Sequence, residues 1–154
     1  MASRNLTSYL HRHGVPFTTQ HHDPAYTAQE IAALAHVSGR RLAKTVMLKI
    51  DGRLTMLVEA ASQRINLERL RQMLNARQIE LAHEYEFADK FADCEVGAMA
   101  PLSDAYDLDI DVIVDQLWDQ EDTIAFNAGN HSELIKMRYG DFVHLTHPRE
   151  MRLH

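Results

Sequence analysis

The chain holds a single cysteine, Cys94, which excludes an internal disulfide framework and fits a reducing compartment. No run approaches the roughly 18 consecutive apolar residues that a membrane-spanning helix needs. The opening residues Met1-Ala2-Ser3-Arg4-Asn5 lack the apolar stretch of a secretory signal, so a cytoplasmic protein is expected. Repeats and low-complexity linkers are missing, which removes solenoids and tethered multidomain arrangements. There is no His-Glu-x-x-His, no paired Cys-x-x-Cys and no compact His/Asp ligand set, so no metal is expected; His21-His22 and His11-x-His13 read as surface clusters. A P-loop, a Gly-x-Gly-x-x-Gly turn and a Gly-x-Ser-x-Gly elbow are missing too, and no cofactor is expected.

What is present is ordinary for one soluble domain: 154 residues, 45% apolar and 25% charged. Residues 1–154 read as a single unit, long enough to bury a core. The net charge of -6 argues weakly against nucleic acid, but its distribution is polarised. Between His36 and Arg77 nine basic residues face three acidic ones, whereas Glu80 to Asp122 holds fourteen acidic residues and one basic, Lys90. Such a chain can offer one basic face to a phosphate backbone. Equally, it can have two solvated faces of opposite sign that attract each other.

Local signals predict the elements. Asn5 to His13 reads as a helix stopped by Gly14 and Pro16, and Phe17 to His21 as a short strand. Thr27 and Glu30 have capping-box spacing, opening a helix that ends at Ser38-Gly39. Leu42 to Ile50 and Arg53 to Ala60 are strands joined by Asp51-Gly52, a strong hairpin signal. Asn66 caps a helix to about Leu74, Gln78 to Ala82 is a short strand, and Glu84 to Phe91 a second helix. Asp93 to Asp104 is a loop. Leu108 to Val114 alternates as a half-buried strand with an acidic outer face, and Thr123 to Ala128 is another strand. Ser132 to Met137 is either a strand or a short helix, and Asp141 to Leu145 a helical turn. The sum is an α/β (α+β) fold around a mixed sheet.

Three places have residue types suited to chemistry. Lys44 is the lone charge in the row Leu42, Lys44, Val46, Leu48, Ile50 on one side of its strand. With a two-residue turn it faces Glu59, a cross-strand ion pair that contributes about 0.2–1 kcal/mol. With a three-residue turn it faces Val58 and its ammonium is free to hold a carbonyl or an oxyanion at a pocket mouth. Gly97-Ala98-Met99-Ala100-Pro101 is a Gly-x-x-x-Pro loop that can aim backbone N–H groups at a ligand, or is an ordinary surface loop. Gly129-Asn130-His131 follows a strand, where site loops often lie, and His131 can donate a hydrogen bond or serve as acid or base. Cys94 reads as a small buried hydrophobe rather than an activated nucleophile.

Taken in order, Ala43-Lys44-Thr45-Val46, the Gly97-to-Pro101 loop, Phe126-Asn127-Ala128-Gly129-Asn130-His131 and the stretch His22 to Glu30 resemble the YbaK family of prolyl-tRNA synthetase-associated editing domains, over about Leu6 to Leu145. The resemblance implies a mixed, barrel-like sheet with flanking helices. It implies hydrolysis of an amino acid wrongly esterified to tRNA, commonly the tRNA for proline, by a free-standing domain acting in trans. Lys44 would be the family's essential lysine; Gly97, Ala98, Met99, Ala100 and Pro101 would bound the aminoacyl group, with Tyr26, Gly129, Asn130 and His131 also lining the pocket. Ala98, Met99 and Ala100 stand where the family often has glycine or proline, a departure that bears on pocket size and on the amino acid preferred. The partners implied are an aminoacyl-tRNA and an aminoacyl-tRNA synthetase. Two other readings stay open: a non-catalytic tRNA- or synthetase-binding module of the same fold, and a hydrolase of another small activated ester.

Overall fold

A computed structural model describes residues 2–154. The hairpin organises it. β2 (Ala43–Ile50) and β3 (Arg53–Ala60) pair antiparallel through a two-residue turn. Asp51 and Gly52 both hold positive φ, 49° and 85°, the I′ geometry that follows strand twist and that glycine adopts without strain. The Asp51 carboxylate also accepts from the Arg77 and Gln78 backbone N–H groups at 2.9 Å, tying the turn to the start of β4 (Ile79–Leu81).

Around that hairpin the other strands assemble in two sheets. One has the order β4-β2-β3-β5-β8, where β5 is Asp111–Asp115 and β8 is Arg149–Met151. β3, β5 and β8 run parallel to one another, and β4 is antiparallel to β2. The second sheet is β1-β7-β6: Thr18–His21, Glu133–Arg138 and Thr123–Asn127, all antiparallel. A parallel bridge between Leu42 and Ala125, with the Ala125 N–H donating to the Arg41 carbonyl at 2.9 Å, joins the sheets. The fold is therefore α/β with a mixed, barrel-like strand arrangement and helices beside it.

Three helices start at side-chain caps. Ser3 opens α1 (Arg4–Arg12), Thr27 opens α2 (Ala28–Leu34) and Asn66 opens α3 (Leu67–Leu74), each side chain accepting a first-turn backbone N–H. α4 (Tyr139–Thr146) follows β7 directly, without such a cap. The main core lies between the sheets and α1 and α4, with Phe91, Phe126 and Phe142 fully enclosed. Each such phenylalanine contributes about 1.5–3 kcal/mol of transfer free energy. The outer face of the larger sheet packs Leu48, Leu57 and Ile113 against Leu70 of α3. Both faces of β3 are thus covered. Among the described residues no helix is long and apolar enough to cross a membrane.

Several sequence expectations shift. α2 ends at Leu34 rather than at Ser38-Gly39, because His36 turns left-handed (φ 55°) and the Val37 N–H returns to the Ala32 carbonyl at 3.0 Å. The helix expected over Glu84 to Phe91 is two short 3-10 turns, Glu84–Glu86 and Ala88–Lys90. Phe87 leaves helical conformation at φ -137° and both Phe87 and Phe91 reach the core, while Glu86 pairs with Lys49 at 2.8 Å. Tertiary packing there outweighs local propensity. The strand expected over Leu108 to Val114 begins at Asp111, and it is central rather than half-buried, with Val112 to Asp115 enclosed between β3 and β8. Ser132 to Met137 resolves as strand, β7.

Gly129 sits at φ +95°, and a Cβ there would stand 2.8 Å from the Ser3 Cβ and 3.2 Å from the Cys94 Sγ. Gly129→Ala is therefore expected to destabilise the fold by about 1–3 kcal/mol through strain and overpacking. Urea unfolding checks this; an unchanged midpoint contradicts the crowding.

Candidate functional site

The two-residue turn fixes a register in which Lys44 lies directly opposite Glu59. Lys44 continues the row of Val46, Leu48 and Ile50, which packs under α3, but its own end of the strand opens beside α2. Its Nζ donates to the Gln63 carbonyl and stands 3.4 Å from Glu59 Oε1. The Lys44 side chain is 26% exposed and the Glu59 side chain 0%. The ion pair and the pocket-mouth position, set against each other on sequence grounds, occur together.

The cavity at Lys44 is about 180 Å³, below the roughly 300–1,000 Å³ of pockets for drug-sized ligands. Tyr26, Ile31, Leu42, Gly97, Met99 and Asn127 form its walls with Lys44. Four chain segments therefore meet: the turn before α2, the start of β2, the Gly97 loop and the end of β6. Of the residues predicted for the site, Lys44, Tyr26, Gly97 and Met99 line this cavity. His131 stands just behind them. Its ring lies 4.6 Å from that of Tyr26, its Cε1 is 3.6 Å from where a Gly97 Cβ would be, and its Nε2 donates to the Val96 carbonyl at 3.0 Å. His131 Nδ1 is buried with no hydrogen-bond partner among the described residues. The imidazole so braces the glycine loop against the Tyr26 segment.

The other predicted residues lie deeper. Ala98 and Ala100 are fully buried, and Ala100 belongs to the main core. Pro101 is buried beside them. Gly129 faces Ser3 and Cys94, and its carbonyl accepts from the Glu95 N–H at 2.7 Å. Asn130 accepts from the Ser132 N–H and hydroxyl at 2.9 and 3.1 Å. Sequence reasoning missed Asn127. Its Oδ1 is buried without a hydrogen-bond partner among the described residues while the residue lines the cavity, which makes it a ready acceptor for a ligand N–H or O–H. Strand alternation was the available signal: Asn127 shares a face with Ala125, which packs with Leu42 and Ile31.

Charge is partly neutralised by pairing between the basic and acidic segments, through Arg41 with Asp122 at 2.7 Å, Lys49 with Glu86 and, more loosely, Arg53 with Asp111 at 3.7 Å. Arg40 and Arg64 are exposed at the Lys44 end of the hairpin.

Fold and site together define a small α/β domain with an ammonium group at the mouth of a compact cavity of mixed polar and apolar lining. The chain belongs to the aminoacyl-tRNA editing domain family, whose model matches residues 22–145. It is similar to the multifunctional Ser/Thr-tRNA deacylase ProXp-y of Escherichia coli (strain K12), at 23% identity over 150 residues, covering 94% of this chain and 88% of that protein. Proline–tRNA ligase of Bacillus cytotoxicus is 24% identical over 82 residues, 53% of this chain. The match spans only 14% of that ligase. A crystal structure of a protein proposed as a trans-editing enzyme for prolyl-tRNA synthetase superposes with a TM-score of 0.78 at 14% identity, covering 96% of this chain and 93% of that one. A hypothetical protein of known structure superposes with a TM-score of 0.81 at 19% identity, over 96% and 97%.

Cys94 is not an activated nucleophile. Burial pushes its thiol up, and its sulfur is shared with the Tyr106 hydroxyl at 2.8 Å, beside the negative Asp93. Alkylation by iodoacetamide at pH 8 is expected to run at least about tenfold slower than for a free cysteine, recovering on unfolding in urea. Labelling at the free-cysteine rate contradicts this environment.

Proposed function

We propose that this chain is an aminoacyl-tRNA deacylase that acts in trans, removing a small amino acid wrongly esterified to a tRNA of the proline type. The observation that carries the proposal is Lys44, an ammonium held at the mouth of a cavity of about 180 Å³ in a chain of the editing family. The similarity to a Ser/Thr-tRNA deacylase over 88% of that protein's length supports action without a synthetase body.

An aminoacyl ester is already activated, so positioning and charge stabilisation suffice without a covalent nucleophile. Water attacks the ester carbonyl carbon, the bond from that carbon to the ribose oxygen breaks, and the proton passes to the departing ribose oxygen. The products are a free amino acid and an uncharged tRNA. Of the three N–H donors of Lys44, one goes to Gln63 and one faces Glu59. The third serves the developing oxyanion or the terminal phosphate. The acceptor Asn127 Oδ1 orients the amino acid's ammonium or hydroxyl, and Tyr26, 73% exposed, covers the cavity from outside. Gly97 and Met99 set the depth available to the side chain. Arg40 and Arg64 meet the acceptor-stem phosphates.

Deacylation of alanyl-, cysteinyl-, seryl- and threonyl-tRNA tests the reading. Wild-type protein should hydrolyse at least one of them, and Lys44→Ala should lower that rate by about 100-fold or more. Because Lys44→Ala strands a buried carboxylate, the double change Lys44→Ala with Glu59→Gln separates lost chemistry from lost folding. Turnover at the wild-type rate in either variant defeats the mechanism, while salt-sensitive tRNA binding without turnover on any substrate identifies a binding module instead.

Met99→Ala enlarges the cavity by most of a side chain. It is expected to raise the rate on a larger aminoacyl group relative to alanyl by about tenfold or more, measured as a ratio of kcat/KM values. An unchanged ratio removes Met99 from the specificity wall.

A further inference from the structure

On the side of Glu59 away from the cavity, three residues far apart in sequence come together. Glu59 of β3, Asp115 at the end of β5 and His154 place one ligand-type atom each within 4.8 Å of one another. Glu59 and Asp115 are buried, at 0% and 2% exposure, and His154 closes the group from the solvent side. His154 Nε2 lies 3.3 Å from Glu59 Oε2 and 3.7 Å from Asp115 Oδ2. The remaining Asp115 oxygen, Oδ1, accepts the Leu153 N–H at 3.0 Å, which fixes the carboxylate plane and anchors the backbone leading to His154.

The negative charge of this group is met in part by Lys44, and the rest falls to the His154 ring, which lies against both carboxylates. Two carboxylates are enclosed side by side, and the Lys44 ammonium, 3.4 Å from Glu59 Oε1, offsets one of the two charges. An enclosed carboxylate without a counter-charge is costly. Glu59 Oε1 is buried without a hydrogen bond, since Lys44 Nζ stands within pairing distance but outside hydrogen-bonding geometry; that oxygen faces the cavity side, and Oε2 is the one turned to Asp115 and His154. The spacing suits a cation. With metal–ligand bonds of about 2.0–2.2 Å, donor atoms at tetrahedral to right angles lie about 2.8–3.6 Å apart. Of the three separations, the 3.3 Å one already fits, the 3.7 Å one requires a small inward movement, and the two carboxylate oxygens, within 4.8 Å of each other, close together on the ion. An imidazole nitrogen with two carboxylate oxygens is a donor set for a borderline ion such as Zn²⁺ rather than for Mg²⁺.

We propose that Glu59, Asp115 and His154 form a Zn²⁺-binding site, with Glu59 giving Oε2 to the ion and Oε1 to Lys44. The site is distinct from the cavity at Lys44 and stands whether or not the hydrolase reading holds. Bound there, the ion stabilises the junction of β3, β5 and the segment after β8.

Calorimetric titration of ZnCl₂ into untagged, chelator-treated full chain tests it. Wild-type protein should bind one ion saturably. His154→Ala and Asp115→Asn should each weaken that binding by at least about tenfold, and the amide oxygen introduced by the second change would still accept the Leu153 N–H. Zn²⁺ at a hundredfold excess over Kd should raise the Tm of wild type by about 5 °C and leave that of His154→Ala unchanged. Co²⁺ should give visible ligand-field bands that the His154 variant lacks. No saturable binding up to 1 mM (roughly the weakest site of interest) overturns the proposal. So does equal binding by wild type and His154→Ala, which would place the ion on histidines elsewhere, such as His21 and His22.

Discussion

A carboxylate with no exposure to water, Glu59, sits at the centre of this fold, and its match to Lys44 is the contact on which the site depends. Neither side chain chose its place independently. The two-residue turn at Asp51 and Gly52 sets the register, the register sets Lys44 against Glu59, and the Gln63 carbonyl then holds the ammonium from a second direction. An isolated lysine on an apolar strand would swing to solvent along its flexible stem. Here the opposing charge keeps it at the cavity mouth. Removing one partner of such a pair leaves an uncompensated buried charge, at a cost of about 3–5 kcal/mol, reduced here by the partial exposure of Lys44.

The hairpin is legible in the sequence because its signals are local: an Asp-Gly turn, alternation on both sides, and a charge in a fixed row. The caps at Thr27 and Asn66 are legible for the same reason. What escapes depends on distant chain. Strand β5 reads as half-buried because Asp107, Asp109 and Asp111 alternate with apolar residues, yet the pairing starts at Asp111 and the sheet continues through β8 on its far side. A three-residue strand such as Arg149–Met151 carries no periodicity to detect; it exists because β5 offers it an edge. The Glu84 to Phe91 segment has helical spacing of Phe87 and Phe91, but the pull of Lys49 on Glu86 and of the core on both rings breaks it in two.

The cavity shows the same division. Tyr26, Lys44, Gly97 and Met99 are separate weak signals in the sequence, joined by a family resemblance rather than by any spacing in the chain. Asn127 is visible as a member of a motif but not as a wall residue, because its orientation follows from Ala125 facing Leu42 and Ile31 across the bridge between the two sheets. The charge asymmetry of the sequence likewise has two readings, and the pairing of opposite segments is the one the fold displays. Arg41 and Lys49 are paired with acidic partners, while Arg40 and Arg64 stay exposed at the cavity end of the hairpin.

Because β3 is central and covered on both faces, the two oxygens of Glu59 look into different surroundings. Oε1 meets the ammonium of Lys44 at the cavity, and Oε2 meets His154 beside Asp115. A carboxylate is a rigid plane, so a shift that satisfies one oxygen moves the other. The position of the ammonium at the cavity mouth is thereby coupled to how the negative charge of Asp115 and Glu59 is met on the far side. Substituting Glu59 itself would disturb both surroundings at once, whereas Lys44 and His154 each report on one oxygen.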